Sequence, residues 1–161
     1  MSSVIRGARA GEAGLVLAFV RELAEYEKLL HEVEATEAMI ADALFADHPR
    51  LFCAIAEWNG EAVGFAVWFV NFSTFSGRHG VYLEDLFVRP SHRGKGLGKA
   101  LLTHVARECV ESGGSRLQWA VLDWNAPSIA FYKSLGAVMM DDWTLCRVTG
   151  AALTRLAGEA S

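Results

Sequence analysis

Two apolar segments joined by an Asn-Gly pair constrain the fold of this chain more than any other feature. The segments "LFCAIAEW" (51–58) and "EAVGFAVWFVNF" (61–72) flank Asn59-Gly60, the dipeptide that two-residue hairpin turns prefer. A third segment of the same kind, "VYLEDLFV" (81–88), follows after a short gap. The sequence therefore predicts a three-stranded meander.

The segments on either side of the meander alternate between helical and strand patterns. Helices are predicted at 12–30, 36–46, 97–112 and 126–135, and strands at 4–9, 116–122 and 143–149. The helix ends carry their own signals: Thr36 and Asn125 can cap helices, whereas Gly113 and Gly136 can end them. The prediction is a mixed α/β fold, a single domain over residues 1–161 whose central, mostly antiparallel sheet is flanked by helices.

Composition excludes several classes of function. The 161 residues are 52% hydrophobic, enough for one domain with its own core, and a net charge of −4 argues against nucleic-acid binding. Cys53, Cys109 and Cys146 form neither a disulfide framework nor a CxxC pair, which favours a reduced, cytoplasmic protein. No apolar run is long enough to span a membrane, and the five histidines lack metal-ligand spacing, so no metal is expected.

The stretch "RPSHRGKGLGKALL" (89–102) concentrates glycines and cations at the start of a predicted helix. It is not a Walker loop, because Gly94 and Gly98 are too close in sequence and Ala100 stands where that motif has the Mg²⁺-binding hydroxyl. It also lacks the GxGxxG spacing of a dinucleotide-binding loop. A flexible basic loop that leads into a helix N-terminus can still bind a pyrophosphate through backbone amides. The alternative is a mobile surface loop.

Arg93, Gly96 and Gly98 match the R/Q-x-x-G-x-G/A signature of the GNAT superfamily of acyl-CoA-dependent N-acetyltransferases. The segments "RELAEYEKL" (21–29), "YLEDLFV" (82–88) and "DWNAPSIAFYKSLGA" (123–137) resemble the diamine (spermidine/spermine) and thialysine N-acetyltransferase branch. The resemblance implies the GNAT fold, acetyl-CoA as co-substrate, a small cationic amine as substrate and a homodimer.

The resemblance also implies where acetyl-CoA would bind. Its pyrophosphate would lie on the amides of the glycine loop, formed by Arg93, Gly94, Lys95, Gly96, Leu97, Gly98 and Lys99. Its pantetheine arm would pair with the strand edge formed by Leu86, Phe87 and Val88, and Asn125, Ser128 and Tyr132 would contact the cofactor. For Asn125 a plain helix-capping role explains the residue almost as well.

Acetyl transfer to an amine needs a base for the ammonium group and an acid for the departing thiolate. Two adjacent acids, Glu84 and Asp85, lie within an apolar strand, where alternation predicts that they point to opposite faces and that at least one faces a polar cleft. The family match makes Glu84 the base, acting through water, and Tyr132 the acid. The alternatives are a hydrogen-bonded core carboxylate at Glu84 and simple ring packing of Tyr132 beside Phe131.

An acidic pocket would suit a diamine or a lysine-like amine. Its candidate residues are Tyr26, Glu27, Glu84, Asp85, Trp119, Asp123 and Asp142. Ser73 or Thr74 stands where the polyamine enzymes carry an acidic residue, and the stretch between Gly136 and Trp143 is shorter than theirs, so the accepted length of the amine stays open. Two other functions remain possible: a protein N-terminal or lysine acetyltransferase, and a GNAT-fold protein that binds acyl-CoA without catalysis.

Overall fold

The computed structural model describes residues 2–158 and divides into two compact units, Met1–Ala120 and Val121–Ser161. The first unit contains β1 (Ser3–Gly7), α1 (Ala13–Tyr26), α2 (Glu37–Phe45), β2 (Phe52–Trp58), β3 (Glu61–Ser73), β4 (Arg78–Val88), α3 (Leu97–Glu111) and β5 (Leu117–Gln118). The second unit contains α4 (Ala126–Ser134) and α5 (Gly150–Leu156).

The sheet of the first unit has the strand order β1-β2-β3-β4-β5. All neighbours are antiparallel except β4 and β5, which are parallel. The predicted hairpin is confirmed: Asn59 and Gly60 both have positive φ, of 50° and 83°, as the two central residues of a type I′ turn require. The predicted mixed, mostly antiparallel α/β fold is therefore correct.

The core lies on both faces of this sheet. On one face Val16 and Phe19 of α1 pack with Ile55 and Phe65 of the strands, and the Phe19 and Phe65 rings stack with centroids 5.3 Å apart. On the other face α3 buries Leu97, Leu101 and Val105, and its His104 ring contacts Trp68 with centroids 5.8 Å apart. Because each helix presents an apolar stripe, both faces exclude water.

The predicted first helix is too long. The structure ends α1 at Tyr26, because Lys28 has a φ of 62° and Leu29 N–H donates to the carbonyl of Ala24 at 2.7 Å, which closes the helix end. A short 3-10 turn, Leu30–Glu32, follows. The second helix is as predicted: Thr36 Oγ1 accepts a hydrogen bond from Met39 N–H and caps α2.

The predictions for the C-terminal part were less accurate. The strand predicted at 143–149 is wrong, since the described residues of the second unit form no strand, and α5 was not predicted. The strand predicted at 116–122 is reduced to Leu117–Gln118, which pairs only with Val81 and Tyr82. Within residues 2–158, no helix combines the length and the apolar character that crossing a membrane requires.

Candidate active site

The two adjacent acids lie at a bulge in β4. Leu83 pairs with Trp68 and Leu86 pairs with Ala66, so three residues of β4 cover the length of two on β3, and Glu84 is the extra residue. Since Trp68 and Ala66 share a face of β3, Leu83 and Leu86 share it too. The bulge thus breaks the alternation between them, so alternation alone does not assign Glu84 to a face, and the predicted opposite orientation of Glu84 and Asp85 stays a prediction.

The two acids, Glu84 and Asp85, differ in how far they are buried. Glu84 is exposed, whereas Asp85 lies beside the core and pairs with Val67. Burial raises the pKa of Asp85 to about 7, and repulsion from Glu84 and then from Glu27 contributes to the shift. Burial also raises the pKa of Glu27, the residue that follows α1. Glu27, Glu84 and Asp85 are the acid cluster, and the repulsion from its other two carboxylates adds to the cost of ionising Asp85.

The outer edge of β4 is open beside this cluster. Within the described part of the first unit, β5 pairs with β4 only at Val81 and Tyr82, so the edge from Leu83 to Val88 has no strand neighbour there. The other edge is held tightly, because a Cβ on Gly64 of β3 would lie 2.7 Å from the carbonyl oxygen of Phe87. The strand predicted to pair with pantetheine therefore has a fixed backbone and an unpaired edge.

The glycine loop between β4 and α3 is built from exposed backbone. Gly94 and Gly96 have φ of 77° and 80°, a conformation that L side chains rarely adopt, and Gly96 is the N-cap of α3. A Cβ added at Gly94, Gly96 or Gly98 would meet nothing within 4 Å. Open space over a helix N-terminus fits a pyrophosphate, since unpaired amide N–H groups are available to it there.

The cations around this loop are held by the protein. Arg89 donates from Nε and NH2 to the two carboxylate oxygens of Glu22 at 3.0 and 3.1 Å. The Arg93 guanidinium lies 4.8 Å from the centroid of the Tyr26 ring, and the Lys95 ammonium lies 5.0 Å from that of Trp58. Lys99, in the first turn of α3, is exposed. Arg89, Arg93 and Lys95 therefore anchor the loop to the rest of the first unit.

The second unit holds the residues predicted to act on the leaving group. Tyr132 is buried on α4, with its ring 5.5 Å from that of Phe131, which is half-buried. Asn125 is buried as well, and its Oδ1 accepts a hydrogen bond from Ser128 N–H at 3.4 Å, which confirms its capping role. The roles of these residues toward a cofactor remain predictions.

The remaining predicted site residues differ in exposure. Trp119, after β5, is half-buried, whereas Asp123 and Asp142 of the second unit are exposed. Cys53 is an unsuitable nucleophile, because burial and then the charge of Asp85 raise the pKa of its thiol to about 12. Among residues 2–158, no group of three or more His, Cys, Asp or Glu side chains is placed to hold a metal ion.

Sequence reasoning missed the contacts that attach the loop to α1. The cationic residues were visible, but their aromatic and acidic partners lie far away in the sequence. It also missed the bulge, for which the only signal was a pair of adjacent acids inside an apolar strand.

Comparison with known proteins adds an independent line of evidence. The sequence model of the acetyltransferase (GNAT) family matches residues 17–137. A thialysine N-epsilon-acetyltransferase of Bos taurus is 38% identical over 97% of this chain and 98% of its own length. An L-ornithine N5-acetyltransferase of Arabidopsis thaliana is 47% identical over 56% of this chain and 40% of its own. An integron cassette protein from the mobile metagenome of V. cholerae superimposes with a TM-score of 0.79 at 30% identity, covering 98% of both chains.

Proposed function

Because this chain belongs to the acetyltransferase (GNAT) family and is an N-acetyltransferase, we propose that it transfers the acetyl group of acetyl-coenzyme A to a primary amine of a small cationic molecule. The acid cluster carries the proposal. Three carboxyl groups that repel one another are stabilised when a cation enters among them, and an ammonium group is the cation that an N-acetyltransferase acts on.

The size of the substrate is inferred from the names of two relatives and from the turn between β3 and β4. The bovine and plant relatives are named for thialysine and L-ornithine, amino acids with a primary amine on the side chain. Ser73 or Thr74 stands where the polyamine enzymes carry an acid. Ser73 is buried and its Oγ accepts a hydrogen bond from Ser76 N–H at 3.3 Å, whereas Thr74 is exposed. We therefore favour a lysine-like amino acid or a short diamine over a long polyamine.

The donor would be held by backbone groups of the first unit. The amides from Arg93 to Lys99 would bind the pyrophosphate, and the open edge at Leu86, Phe87 and Val88 would bind the pantetheine arm. The resemblance adds Asn125 and Ser128 to the residues that contact the cofactor. When bound, acetyl-CoA supplies an activated carbonyl group on a thioester. A backbone N–H of Leu86 or Val88 would donate to that carbonyl oxygen as negative charge develops.

The side chains then manage two protons. Glu84, exposed at the bulge, takes a proton from the substrate ammonium through a water molecule and leaves a nucleophilic amine. As the new C–N bond forms and the C–S bond breaks, the Tyr132 hydroxyl gives its proton to the departing thiolate. The nitrogen then loses its second proton through water, which restores the Tyr132 hydroxyl and leaves the neutral amide. Before the first proton is removed, Asp85 and Glu27 stabilise the positive charge of the ammonium group beside Glu84. No acyl-enzyme is needed, in keeping with the protonated thiol of Cys53.

The proposal includes a homodimer in a reduced, cytoplasmic setting. The second unit exposes large apolar side chains, among them Trp143 at 77% and Leu145 at 78%. A second copy of the chain would cover such residues, which a stable monomer rarely exposes together. Sedimentation at micromolar concentration should give a species of about twice the 17.6 kDa chain mass. A 17.6 kDa species alone would contradict the dimer.

The test is a panel of acceptors with acetyl-CoA and a free-thiol readout. Thialysine, ornithine and a short diamine should be acetylated faster than spermine or a peptide N-terminus. Tyr132→Phe should lower kcat by about 10²–10⁴-fold with little change in acetyl-CoA affinity. Glu84→Gln should lower the rate most below the pKa of the amine, and the defect should shrink as pH rises.

Ser134→Ala is the matched control, since it removes a hydroxyl group from an exposed position of α4, the helix of Tyr132, and should alter turnover by less than about threefold. Preference for the peptide would favour a protein acetyltransferase, and binding of acetyl-CoA without turnover of any amine would favour a non-catalytic protein. An acetyl group trapped on Cys53, Cys109 or Cys146 during turnover would contradict direct transfer.

A further inference from the structure

Arg93 of the glycine loop is exposed, but its side chain contacts both β4 and α1. Its Nε donates to the carbonyl oxygen of Val88 at 3.0 Å. Its guanidinium lies 4.8 Å from the centroid of the Tyr26 ring and 5.7 Å from that of Phe87. A guanidinium that rests on two aromatic rings and a carbonyl oxygen has its planar face and one donor already engaged.

The two rings lead to the acid cluster. Tyr26 is the last residue of α1 and directly precedes Glu27. Phe87 lies two residues after Asp85 on β4 and on the same face of the strand. Each ring that contacts Arg93 is thus one or two residues from a carboxyl group of the cluster.

The end of α1 is a well-defined backbone position. Lys28 holds a φ of 62°, and its N–H donates to the carbonyl of Glu25 at 3.0 Å. A shift of Tyr26 would therefore carry Glu27 with it instead of being absorbed by a flexible linker. Lys95, another cation of the loop, lies 5.0 Å from the centroid of the Trp58 ring at the end of β2.

We propose that Arg93 is a positioning residue that links the glycine loop to the acid cluster through Tyr26, so that filling the loop with coenzyme A fixes the amine-binding end of α1. The proposal rests on the proposed function. The main chain of Arg93 contacts the cofactor, as predicted for the loop, whereas its side chain affects the binding of the amine. Because binding coupling is reciprocal, an amine in the cluster must tighten coenzyme A binding by the same factor.

The kinetic test uses Arg93→Lys, which keeps a positive charge but removes the planar group and the Nε donor. Its companions are Tyr26→Leu, Tyr26→Phe and the double variant Arg93→Lys/Tyr26→Leu. We expect Arg93→Lys and Tyr26→Leu each to raise the KM for the best amine of the panel by about 5–30-fold, with the Kd for acetyl-CoA changed less than about threefold. The double variant should be no worse than the poorer single variant, because both remove one contact. Tyr26→Phe keeps the ring that Arg93 contacts, so its KM for the amine should rise less than that of Tyr26→Leu.

Arg78→Lys is the matched control, since it makes the same change at an exposed position at the start of β4. A tenfold or larger rise in the Kd for acetyl-CoA in Arg93→Lys, with an unchanged KM for the amine, would identify a phosphate ligand and overturn the proposal. Multiplicative effects in the double variant would overturn it as well, since the two residues would then act independently.

A second measurement needs no turnover. Coenzyme A should slow amide hydrogen exchange at residues 24–30 of the native chain at least fivefold, and Arg93→Lys should abolish that protection. A chain that binds no coenzyme A would contradict the proposed function together with the linkage. A chain that acetylates amines but shows no change in exchange at 24–30 would contradict the linkage alone.

Discussion

The two units of the chain bury their large apolar side chains to very different degrees. In the first, large side chains such as Phe19, Ile55 and Phe65 are completely buried. In the second, Trp143, Leu145 and Leu156 are each at least 74% exposed. The first unit contains a sheet with a helix layer on each face, whereas the second has two short helices and an irregular segment from 137 to 149. A core therefore requires layers that face one another, and apolar content alone does not produce it.

The difference also separates two kinds of site residue. The acid cluster and the glycine loop are held by strand register, close backbone contacts and aromatic rings. Asn125 is held by the helix that it caps, and Asp142 lies in the exposed segment. We expect mutations in the first unit to change stability, and equivalent mutations in the second to change association or cofactor binding instead.

The largest effect should come from truncating matched aromatic residues. Phe65→Ala removes a completely buried ring and should lower the free energy of unfolding by about 3–5 kcal/mol. Trp143→Ala removes an exposed ring and should change it by less than about 0.5 kcal/mol at nanomolar protein, where the proposed dimer would dissociate. Denaturant titration measures both. An equal loss in the two variants at that concentration would contradict the contrast between the units.

A buried and an exposed aspartate should differ in the pH dependence that they create. The pKa of Asp85 is raised to about 7, against about 3.9 in an unfolded chain, so the folded chain binds more protons across this window. Stability attributable to Asp85 therefore falls as pH rises from about 4 to 7 and is flat above that range. Asp85→Asn should stabilise the protein at pH 8 by about 1–3 kcal/mol and much less at pH 4.5.

Asp142→Asn is the control for that measurement, because Asp142 is exposed. Its urea midpoint should match that of the native chain at both pH values. If Asp85→Asn gave the same change at pH 4.5 and pH 8, the carboxyl would already be ionised at the lower pH, and the buried-acid interpretation would be wrong.

The smallest effects should come from the two side-chain caps. Thr36→Ala removes the hydrogen bond to Met39 N–H and should cost about 1 kcal/mol of stability, with acetyl-CoA affinity unchanged. Asn125→Ala removes the bond to Ser128 N–H at a similar cost and should also weaken acetyl-CoA binding, as predicted for this residue. Calorimetric titration with acetyl-CoA distinguishes them. Undiminished affinity in Asn125→Ala would make the residue a cap and nothing more.

Local signals predicted the first unit well. Asn59-Gly60 identified the hairpin, and Thr36 identified the start of α2, because each acts on its own backbone neighbours. The end of α1 was missed, since Lys28 adopts a positive φ without the glycine that commonly marks such a position. The bulge at Glu84 was missed as well, because register between two strands is set by residues on both of them.

The segment 143–149 shows the limit of a periodic pattern. Its alternation of apolar and polar residues is compatible with a strand, but a strand also needs a neighbour that completes its hydrogen bonds, and the described residues of the second unit provide none. Of the site, sequence included Glu27, Glu84 and Asp85 in a larger set of candidate pocket residues, together with Asp123 and Asp142. It could not predict that Arg93 rests on Tyr26, since that contact depends on how α1 crosses the sheet.

The bulge in β4 also has a consequence for how the protein behaves at high concentration. An open strand edge is a template on which strands of other molecules can add, and the edge from Leu83 to Val88 lies within a mostly apolar sequence. A bulge that carries a charged residue prevents this, because it interrupts the regular spacing of amides and brings a carboxylate to the point where a foreign strand would attach. Glu84 therefore disfavours aggregation at the same strand edge where the reaction needs an accessible backbone.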